Sequence, residues 1–261
     1  MSKYKVLFLD IDGTIIKPDD SIEDTTINAI AKAQEKGIEV FLATGRPLHE
    51  LRELAQQLNI HSLLGYNGAF AIYQGKDLFQ EPMDKEIVNM FIETAKRNHH
   101  DLVLYTKDQN IFTNLEVECV KEFIKKFHLH NNDALSLSNE YEVLGMTLIN
   151  LDPDDTALYE QENQVHLSQV NLEGMRHCYD VIRDNVNKGI GIQHILNHLG
   201  IERENAIAFG DGLNDKEMLQ SVGEGFAMGN AHPDLFQYAK HKTTSVSDSG
   251  IYNGLKKLGI T

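Results

Sequence analysis

The sequence predicts an α/β protein in which a parallel-sheet core is interrupted by a separate α+β module. In the first part of the chain, short apolar runs such as Val6 to Leu9 alternate with stretches of helical periodicity, and the same alternation returns near the end. Between these parts, shorter predicted strands mix with helices, without a repeat or a low-complexity linker. We therefore predict a core of residues 1–80 and 183–261, with residues 81–182 forming the inserted module.

Composition restricts the class of protein. The 261 residues, 41% of them hydrophobic, suffice for one large or two modest domains with a sizeable core. A formal net charge of -15 disfavours nucleic acid and anionic membrane surfaces as partners. No apolar stretch approaches about 18 residues and no signal peptide is evident, so we expect a soluble, cytoplasmic protein. Cys119 and Cys178 form no disulfide framework and are expected to be ordinary side chains.

The segment from Val6 to Thr14 carries two acids at a predicted strand end. The run Val-Leu-Phe-Leu indicates a strand buried on both faces, and Asp10 and Asp12 follow it. Side chains alternate along an extended backbone, so the two carboxylates are predicted to point the same way, and Gly13 lets the chain turn afterwards. Close acids need a cation, a proton or a ligand between them. This strand end is therefore a candidate ligand site, with a plain turn as the alternative.

A second predicted strand, Ile38 to Ala43, follows a helix and also ends at a polar group. The next residues are Thr44-Gly45-Arg46-Pro47, and a proline is well suited to the first turn of the following helix. Thr44 thus places a small hydroxyl beside a helix N-terminus, which favours anions, although a plain turn residue is an equal alternative. Arg46 is interpreted as a surface or structural ion-pair residue rather than a catalytic one.

The third strand and the inserted module follow. Leu63 to Tyr66 is a short strand, and Ala69 to Phe79 predicts a hairpin that turns at Gln74-Gly75-Lys76. The helices of the module are predicted over Asp84 to Arg97, near Leu115 to Phe127 and after Pro153. Its strands are predicted near Leu102 to Thr106, Ile111 to Thr113, Glu142 to Asn150, Val165 to Val170 and His177 to Ile182.

The last third of the chain returns to the first pattern. Lys188 opens a predicted helix that Gly200 ends, and Asn205 to Phe209 is the next buried strand. Gly210-Asp211-Gly212-Leu213-Asn214-Asp215 follows that strand directly. A further strand over Gly225 to Met228, a helix starting at His232-Pro233 and a short C-terminal helix complete the chain.

Four strand-end or helix-start points thus supply the groups that phosphoryl transfer needs: a nucleophile, a proton donor, a cation and carboxylates for a metal ion. On these motifs the sequence resembles the haloacid dehalogenase-like phosphatases, specifically their Cof-type branch. The resemblance covers nearly the full length. It rests on F-L-D-I-D-G-T, F-L-A-T-G-R-P, the N-K-G motif at Asn187 to Gly189 and G-D-G-L-N-D, with G-Y-N-G-A and A-M-G-N-A in support.

The resemblance implies a role for each residue of these motifs. Asp10 is expected to attack phosphorus and form an aspartyl-phosphate, and Asp12 to alternate as general acid and base. The residues implied in phosphate binding are Thr44, Gly45, Lys188 and Asn214. The residues implied in holding Mg²⁺ are Asp10, Asp12 through its backbone carbonyl, and Asp211, with Asp215 as a further ligand or as a support to the ligands.

The resemblance also implies a Rossmann-like core and gives the inserted module a role. It corresponds to the large α+β cap of this branch, so substrate specificity is expected to reside there. The expected activity is Mg²⁺-dependent hydrolysis of a small phosphorylated metabolite, such as a sugar phosphate or a phosphorylated cofactor. A phosphomutase or phosphotransferase is the alternative within enzymes. A non-catalytic phosphate-ligand binding module is a further alternative, which the second acid of the Asp10 and Asp12 pair disfavours.

Overall fold

The computed structural model describes residues 3–136, 140–160 and 164–261. The chain divides into two compact units. The first comprises Met1–Arg46, Arg52–Phe79 and Val186–Thr261, and the second comprises Pro47–Leu51 and Gln80–Asn185. The short segment Pro47–Leu51 therefore belongs to the second unit, although the residues on either side of it belong to the first.

Strands and helices alternate through most of the first and last parts of the chain. The strands are β1 (Val6–Leu9), β2 (Glu39–Ala43), β3 (Ser62–Gly65), β4 (Phe70–Tyr73), β5 (Lys76–Gln80), β6 (Asp101–Tyr105), β7 (Asn110–Phe112), β8 (Asn132–Ala134), β9 (Gly145–Ile149), β10 (Val165–Gln169), β11 (Tyr179–Arg183), β12 (Ala206–Gly210), β13 (Glu224–Ala227) and β14 (His241–Lys242). The α-helices are α1 (Asp24–Glu35), α2 (Arg52–Gln57), α3 (Lys85–Asn98), α4 (Glu118–Lys126), α5 (Lys188–Leu199), α6 (Lys216–Gln220) and α7 (Gly250–Lys257). Short 3₁₀ helices occupy Leu48–Leu51, Tyr66–Gly68, Pro153–Leu158, Arg203–Asn205, Leu213–Asp215 and Pro233–Gln237.

The sheet of the first unit has the strand order β14-β13-β12-β1-β2-β3-β4-β5 among the described residues. β1 lies parallel to both of its neighbours, with Val6 opposite Ala206 on β12 and Glu39 on β2. Only the hairpin strand β4 runs antiparallel to its neighbour β3 in the pairs described. The α/β prediction with a parallel-sheet core is confirmed. Because β12, β1 and β2 are parallel, the residues that follow them meet at one edge of the sheet.

β1 is central because its side chains are apolar on both faces. All four residues of Val6–Leu9 are fully buried, as expected for a strand covered by helices on both sides. The Phe8 and Phe41 rings pack with their centroids 5.2 Å apart. α5 begins and ends as its sequence predicts: the Asn187 side chain accepts a hydrogen bond from the Ile190 N–H at 2.9 Å, and Gly200 is left-handed, with φ 61°.

The second unit is an α+β structure with its own core. Its described strands form a sheet in the order β10-β11-β9-β6-β7-β8, in which β7 and β8 are parallel and the other pairs antiparallel. α3 starts at Asp84, whose carboxylate accepts hydrogen bonds from the backbone N–H groups of Glu86 and Ile87. Phe91 and Leu104 lie in the cluster between α3 and the sheet.

Among the helices that the structure describes, none combines the length and the apolar character that a membrane-spanning helix needs.

Four local details differ from the prediction. The helices expected after Pro153 and at Pro233 are short 3₁₀ helices, and β8 and β14 were not predicted. β8 consists of Asn-Asp-Ala, which lacks the apolar alternation of a half-buried strand, and β14 has only two residues. Neither strand carries a local signal, because each exists through pairing with a neighbour that is distant in sequence.

Candidate active site

Three strand ends of the first unit bring polar side chains to one edge of its sheet. Asp10 follows β1, Thr44 follows β2 and Asp211 follows β12. The Asp10 N–H still donates to the Phe209 carbonyl at 3.0 Å, so the pairing of β1 with β12 continues up to the first acid. The fold thereby gathers residues that lie far apart in the sequence.

Lys188 lies between two buried carboxylates. Its Nζ is 2.6 Å from Asp10 Oδ1 and 2.6 Å from Asp215 Oδ1. The three residues are 0%, 7% and 0% exposed for Lys188, Asp10 and Asp215, so these are buried, charge-assisted hydrogen bonds. Lys188 is the first residue of α5, which Asn187 caps, so the helix start fixes where the ammonium group lies.

Burial and neighbouring charge act in opposite directions on this cluster. Burial raises the pKa of Asp10 well above its ordinary value; the Asp215 charge raises it further, and Lys188 opposes both. For Lys188, burial alone would lower the pKa, but the two carboxylates outweigh it and keep the pKa raised. Lys188 is therefore protonated and carries one positive charge. This one charge does not neutralise the two carboxylates that it contacts.

Asp211 is held at the same edge by Thr14 and Asn230. Thr14 Oγ1 donates to Asp211 Oδ1 at 2.8 Å, and Asn230 Nδ2 lies 3.4 Å from Oδ2. Burial raises the pKa of Asp211 to about 6; the Thr14 hydrogen bond lowers it and the Asp215 charge raises it. Gly13 passes so close that a Cβ there would lie 2.2 Å from Asp211 Oδ2, and its φ is +81°. Only glycine suits this position.

Asp215 uses both carboxylate oxygens within the protein. Oδ1 accepts from Lys188, and Oδ2 accepts from the backbone N–H groups of Asp211 and Gly212, each at 3.0 Å. The side chain therefore closes the loop after β12 on itself and positions Asp211. Of the two roles that the sequence left open for Asp215, this arrangement favours support of the ligands.

The acids at this edge fit a hard divalent cation. Asp10, Asp211 and Asp215 each offer a carboxylate oxygen, and these oxygens lie within 4.8 Å of one another. Mg²⁺ prefers oxygen ligands and is commonly held by one or two carboxylates. Because Asp215 already accepts three hydrogen bonds from protein donors, Asp10 and Asp211 are the carboxylates best suited to hold the ion. A cation here would offset the charge that Lys188 alone does not balance.

Asp12 has a different partner from Asp10. Arg46 Nε donates to Asp12 Oδ2 at 2.8 Å and Arg46 Nη2 to Asp12 Oδ1 at 2.5 Å, and both side chains are about half exposed. The backbone is not extended as far as Asp12, contrary to the expectation from the sequence. β1 ends at Leu9, and the Ile11 carbonyl accepts hydrogen bonds from the N–H groups of residues 14–16. The interpretation of Arg46 as an ion-pair residue agrees with this contact.

The residues expected to bind phosphate lie around the loop after β2. Thr44 is buried, and its Oγ1 accepts from the Arg46 N–H at 3.1 Å. Gly45 is exposed, and a Cβ there would lie 3.0 Å from Asn67 Oδ1. Asn214 Nδ2 lies 3.4 Å from that same Asn67 oxygen, so Asn67 lies close to both Gly45 and Asn214.

Sequence reasoning assigned no role at the site to Asn67, Thr14 or Asn230. Each lies within a motif that was recognised: Asn67 in G-Y-N-G-A, Thr14 at the end of D-I-D-G-T and Asn230 in A-M-G-N-A. The one local signal is the dipeptide Asn67-Gly68, because asparagine tolerates the left-handed backbone that it adopts here, with φ 53°. The other two contacts depend on pairing that no local pattern reveals.

The sequence profile of the haloacid dehalogenase-like hydrolases matches residues 7–255, which includes every residue of the edge described above. This chain belongs to that family. The Cof-type assignment and the enzyme class predicted from the sequence, a phosphatase, are confirmed.

Three similar proteins cover the chain almost completely. The putative phosphatase YkrA of Bacillus subtilis is 29% identical over 98% of both chains. The 5-amino-6-(5-phospho-D-ribitylamino)uracil phosphatase YitU of the same organism is 27% identical, also over 98% of both. Among solved structures, a subclass IIB sugar phosphatase, BT4131, is 28% identical, with a TM-score of 0.83 over 98% of this chain and all of that one. Both units of this chain are thus shared with phosphatases.

Proposed function

We propose that this chain is a Mg²⁺-dependent phosphatase that hydrolyses a small phosphorylated metabolite through an aspartyl-phosphate on Asp10. The observation that carries the proposal is the buried contact of Lys188 with Asp10, beside Asp211 at the same sheet edge. A surface carboxylate would need no buried cation. A nucleophile that must meet a phosphate dianion does, because the ammonium offsets charge on both reactants.

In the first step, an Asp10 carboxylate oxygen attacks phosphorus and the bond from phosphorus to the leaving oxygen breaks. Lys188 holds Oδ1 of Asp10 at 2.6 Å, which leaves Oδ2 as the oxygen available for attack. Protonated Asp12 gives its proton to the leaving oxygen, so the organic product departs as an alcohol.

In the second step, water attacks phosphorus of the aspartyl-phosphate. The Asp12 carboxylate formed in the first step accepts the water proton, the bond from phosphorus to Asp10 breaks, and inorganic phosphate leaves. Both acids are thereby restored. The bidentate contact with Arg46 orients the carboxylate form of Asp12, which is the form that accepts the water proton in this step.

The remaining predicted residues bind rather than react. Thr44, Gly45 and Asn214 are proposed to contact the phosphate oxygens. Asp10, Asp211 and the backbone carbonyl of Asp12 are proposed to hold Mg²⁺, with Asp215 fixing the Asp211 loop through its hydrogen bonds to Asp211 N and Gly212 N. When bound, the ion supplies positive charge that stabilises the phosphoryl oxygens.

The proposed substrates are sugar phosphates and phosphorylated cofactors or cofactor precursors. Two names among the similar proteins support this class, the phosphoribitylaminouracil phosphatase and the subclass IIB sugar phosphatase. The identity of about 28% with these relatives supports a class of substrate rather than one compound. The formal net charge of -15 agrees with a small substrate rather than nucleic acid.

Phosphate release from para-nitrophenyl phosphate and from a panel of sugar and cofactor phosphates tests the proposal. We expect magnesium-dependent release that Asp10→Asn lowers by at least about a thousandfold, as removal of a nucleophile should. Asp24→Asn, which changes an exposed acid in α1, serves as the matched control and should retain activity. With para-nitrophenyl phosphate, whose leaving group needs no proton, Asp12→Asn should accumulate a covalent phosphoryl group on Asp10, visible by mass spectrometry after acid quench. Full activity of Asp10→Asn, or activity in excess chelator, would refute the mechanism.

A further inference from the structure

A buried polar cluster surrounds Glu50, a residue outside every motif recognised in the sequence. Glu50 Oε1 accepts from Asn110 Nδ2 at 2.6 Å and from the His130 N–H at 3.0 Å. The Glu50 side chain is 8% exposed, and Asn110 is fully buried. Asn110 Oδ1 also accepts from His49 Nε2 at 3.1 Å, and Asn110 Nδ2 donates to Asn132 Oδ1. All of these residues belong to the second unit.

Glu50 is held by hydrogen bonds rather than by a full cation. Its ion-pair neighbour in the described part of the chain is His49, with Nε2 3.5 Å from Oε1. Burial lowers the pKa of His49 in spite of the Glu50 charge, so this imidazole is neutral near pH 7. A buried carboxylate without a charged partner is costly unless its hydrogen bonds are kept. The contacts with Asn110 and His130 are therefore strongly maintained.

A short and stiff stretch of chain connects Glu50 to Arg46. The Glu50 N–H donates to the Pro47 carbonyl at 3.2 Å, closing the 3₁₀ turn. Leu48 and Leu51 are buried on either side of it. Pro47 fixes its own φ and restricts the backbone of the residue before it, which is Arg46. We therefore expect a displacement of the 3₁₀ turn to move Arg46 as well, because the backbone between them has little freedom to compensate.

Arg46 is the residue whose guanidinium makes the bidentate contact with Asp12. Its backbone is also tied to the loop after β2, because its N–H donates to Thr44 Oγ1 and its carbonyl accepts from the Tyr66 N–H. A planar guanidinium that donates to both oxygens of one carboxylate is sensitive to small changes in its own orientation. Arg46 thus lies between the 3₁₀ turn that contains Glu50 and the proposed acid and base, Asp12.

We propose that Glu50 is a positioning residue for the proposed phosphatase reaction. By tying the 3₁₀ turn to Asn110 and His130, it fixes the direction of Arg46 and, through Arg46, the carboxylate of Asp12. The proposal rests on the proposed function for its kinetic consequence. Its structural part, that the Glu50 cluster determines the Arg46–Asp12 contact, holds or fails independently of catalysis.

The structural part is tested by NMR on the full chain. The Arg46 Nε–H cross-peak, assigned by its loss in Arg46→Lys, reports the hydrogen bond to Asp12. In Glu50→Ala we expect this peak to move toward the position of free arginine side chains and to exchange faster with water. Glu50→Gln retains an acceptor oxygen for Asn110 and should largely restore the peak. Glu53→Ala, which removes an exposed acid of α2, is the matched control and should leave it unchanged.

The kinetic part is tested with para-nitrophenyl phosphate. Glu50→Ala is expected to lower kcat by about tenfold or more with little change in KM, because misplacement of a reacting group costs transition-state stabilisation. In an Arg46→Lys background, Glu50→Ala should have little further effect, because both changes act on the same contact. Additive effects would overturn the positioning role.

The outcomes separate the two proposals. If no variant and no wild-type sample releases phosphate, the proposed function fails, while the NMR result still decides the positioning proposal. An unchanged Arg46 Nε–H peak in folded Glu50→Ala overturns the positioning proposal. If Glu50→Ala does not fold by circular dichroism, Asn110→Ala removes the same hydrogen bond from the other side. Unfolding of both variants also overturns the proposal, because Glu50 would then be needed for the fold itself.

Discussion

Replacement of Lys188 by methionine tests whether this lysine offsets the charge of the buried acids. Methionine is similar in length but uncharged, so Lys188→Met removes both 2.6 Å contacts and leaves Asp10 and Asp215 without their cation. Breaking a buried ion pair by removing one partner typically costs about 3 to 5 kcal/mol. For a chain of this length, we expect the melting temperature at pH 7.5 in excess chelator to fall by roughly 6 to 20 °C.

The loss of stability in Lys188→Met is expected to depend on pH. With Lys188 absent, the folded-state pKa of Asp10 rises further, so the folded protein holds a proton that the unfolded chain releases. The free energy of unfolding of the variant then falls as pH rises, and its deficit relative to the wild type shrinks as pH is lowered toward 5. Urea unfolding at pH 5 and pH 7.5 measures this difference.

A matched control separates buried from exposed charge. Lys240→Met removes an ion pair with Glu224 in which the lysine side chain is 56% exposed, and we expect a change below about 1 kcal/mol. Equal stability of Lys188→Met and the wild type at pH 7.5 in chelator would refute the idea that the acids depend on this ammonium.

Three further outcomes follow from the same contacts. Gly13→Ala should weaken Mg²⁺ binding measured by calorimetry, because its Cβ would lie 2.2 Å from Asp211 Oδ2 in a backbone that alanine avoids. Since the folded-state pKa of Asp211 is about 6 against an ordinary value of 3.8, the contribution of Asp211 to the free energy of unfolding in chelator should fall by about 3 kcal/mol as pH rises from about 4 to above 6. Asp211→Asn should flatten that dependence in urea titrations. Asp84→Ala removes the carboxylate that caps α3 and should cost about 1 kcal/mol in thermal unfolding, with no loss of phosphate release.

Much of the first unit could be predicted because its signals are local. β1 is an apolar run with a polar end, and α5 has asparagine at its start and glycine at its end, so pattern alone predicts both. The edge where Asp10, Thr44 and Asp211 come together follows from the rule that parallel strands end on the same side. The roles assigned to these residues by resemblance stay proposals.

The partners of the site residues could not be predicted, because they depend on contacts between distant segments. Arg46 was recognised as an ion-pair residue, but its pairing with Asp12 requires the chain to leave the extended conformation after Leu9. Asp215 is an exception, because its Oδ2 accepts from backbone N–H groups only three and four residues earlier in the chain. The inclusion of Pro47–Leu51 in the second unit is similarly invisible, because that segment reads as an ordinary helix start.

The central place of β1 has a consequence for how the protein matures on the ribosome. β2 emerges soon after β1, but the other neighbour, β12, is separated from it by most of the chain. The bond from Lys188 to Asp10 spans 178 residues, and that from Thr14 to Asp211 spans 197. Until β12 is synthesised, one edge of an entirely apolar strand is unpaired and its acids lack a cation. The nascent chain is therefore most exposed to aggregation while the second unit is being made.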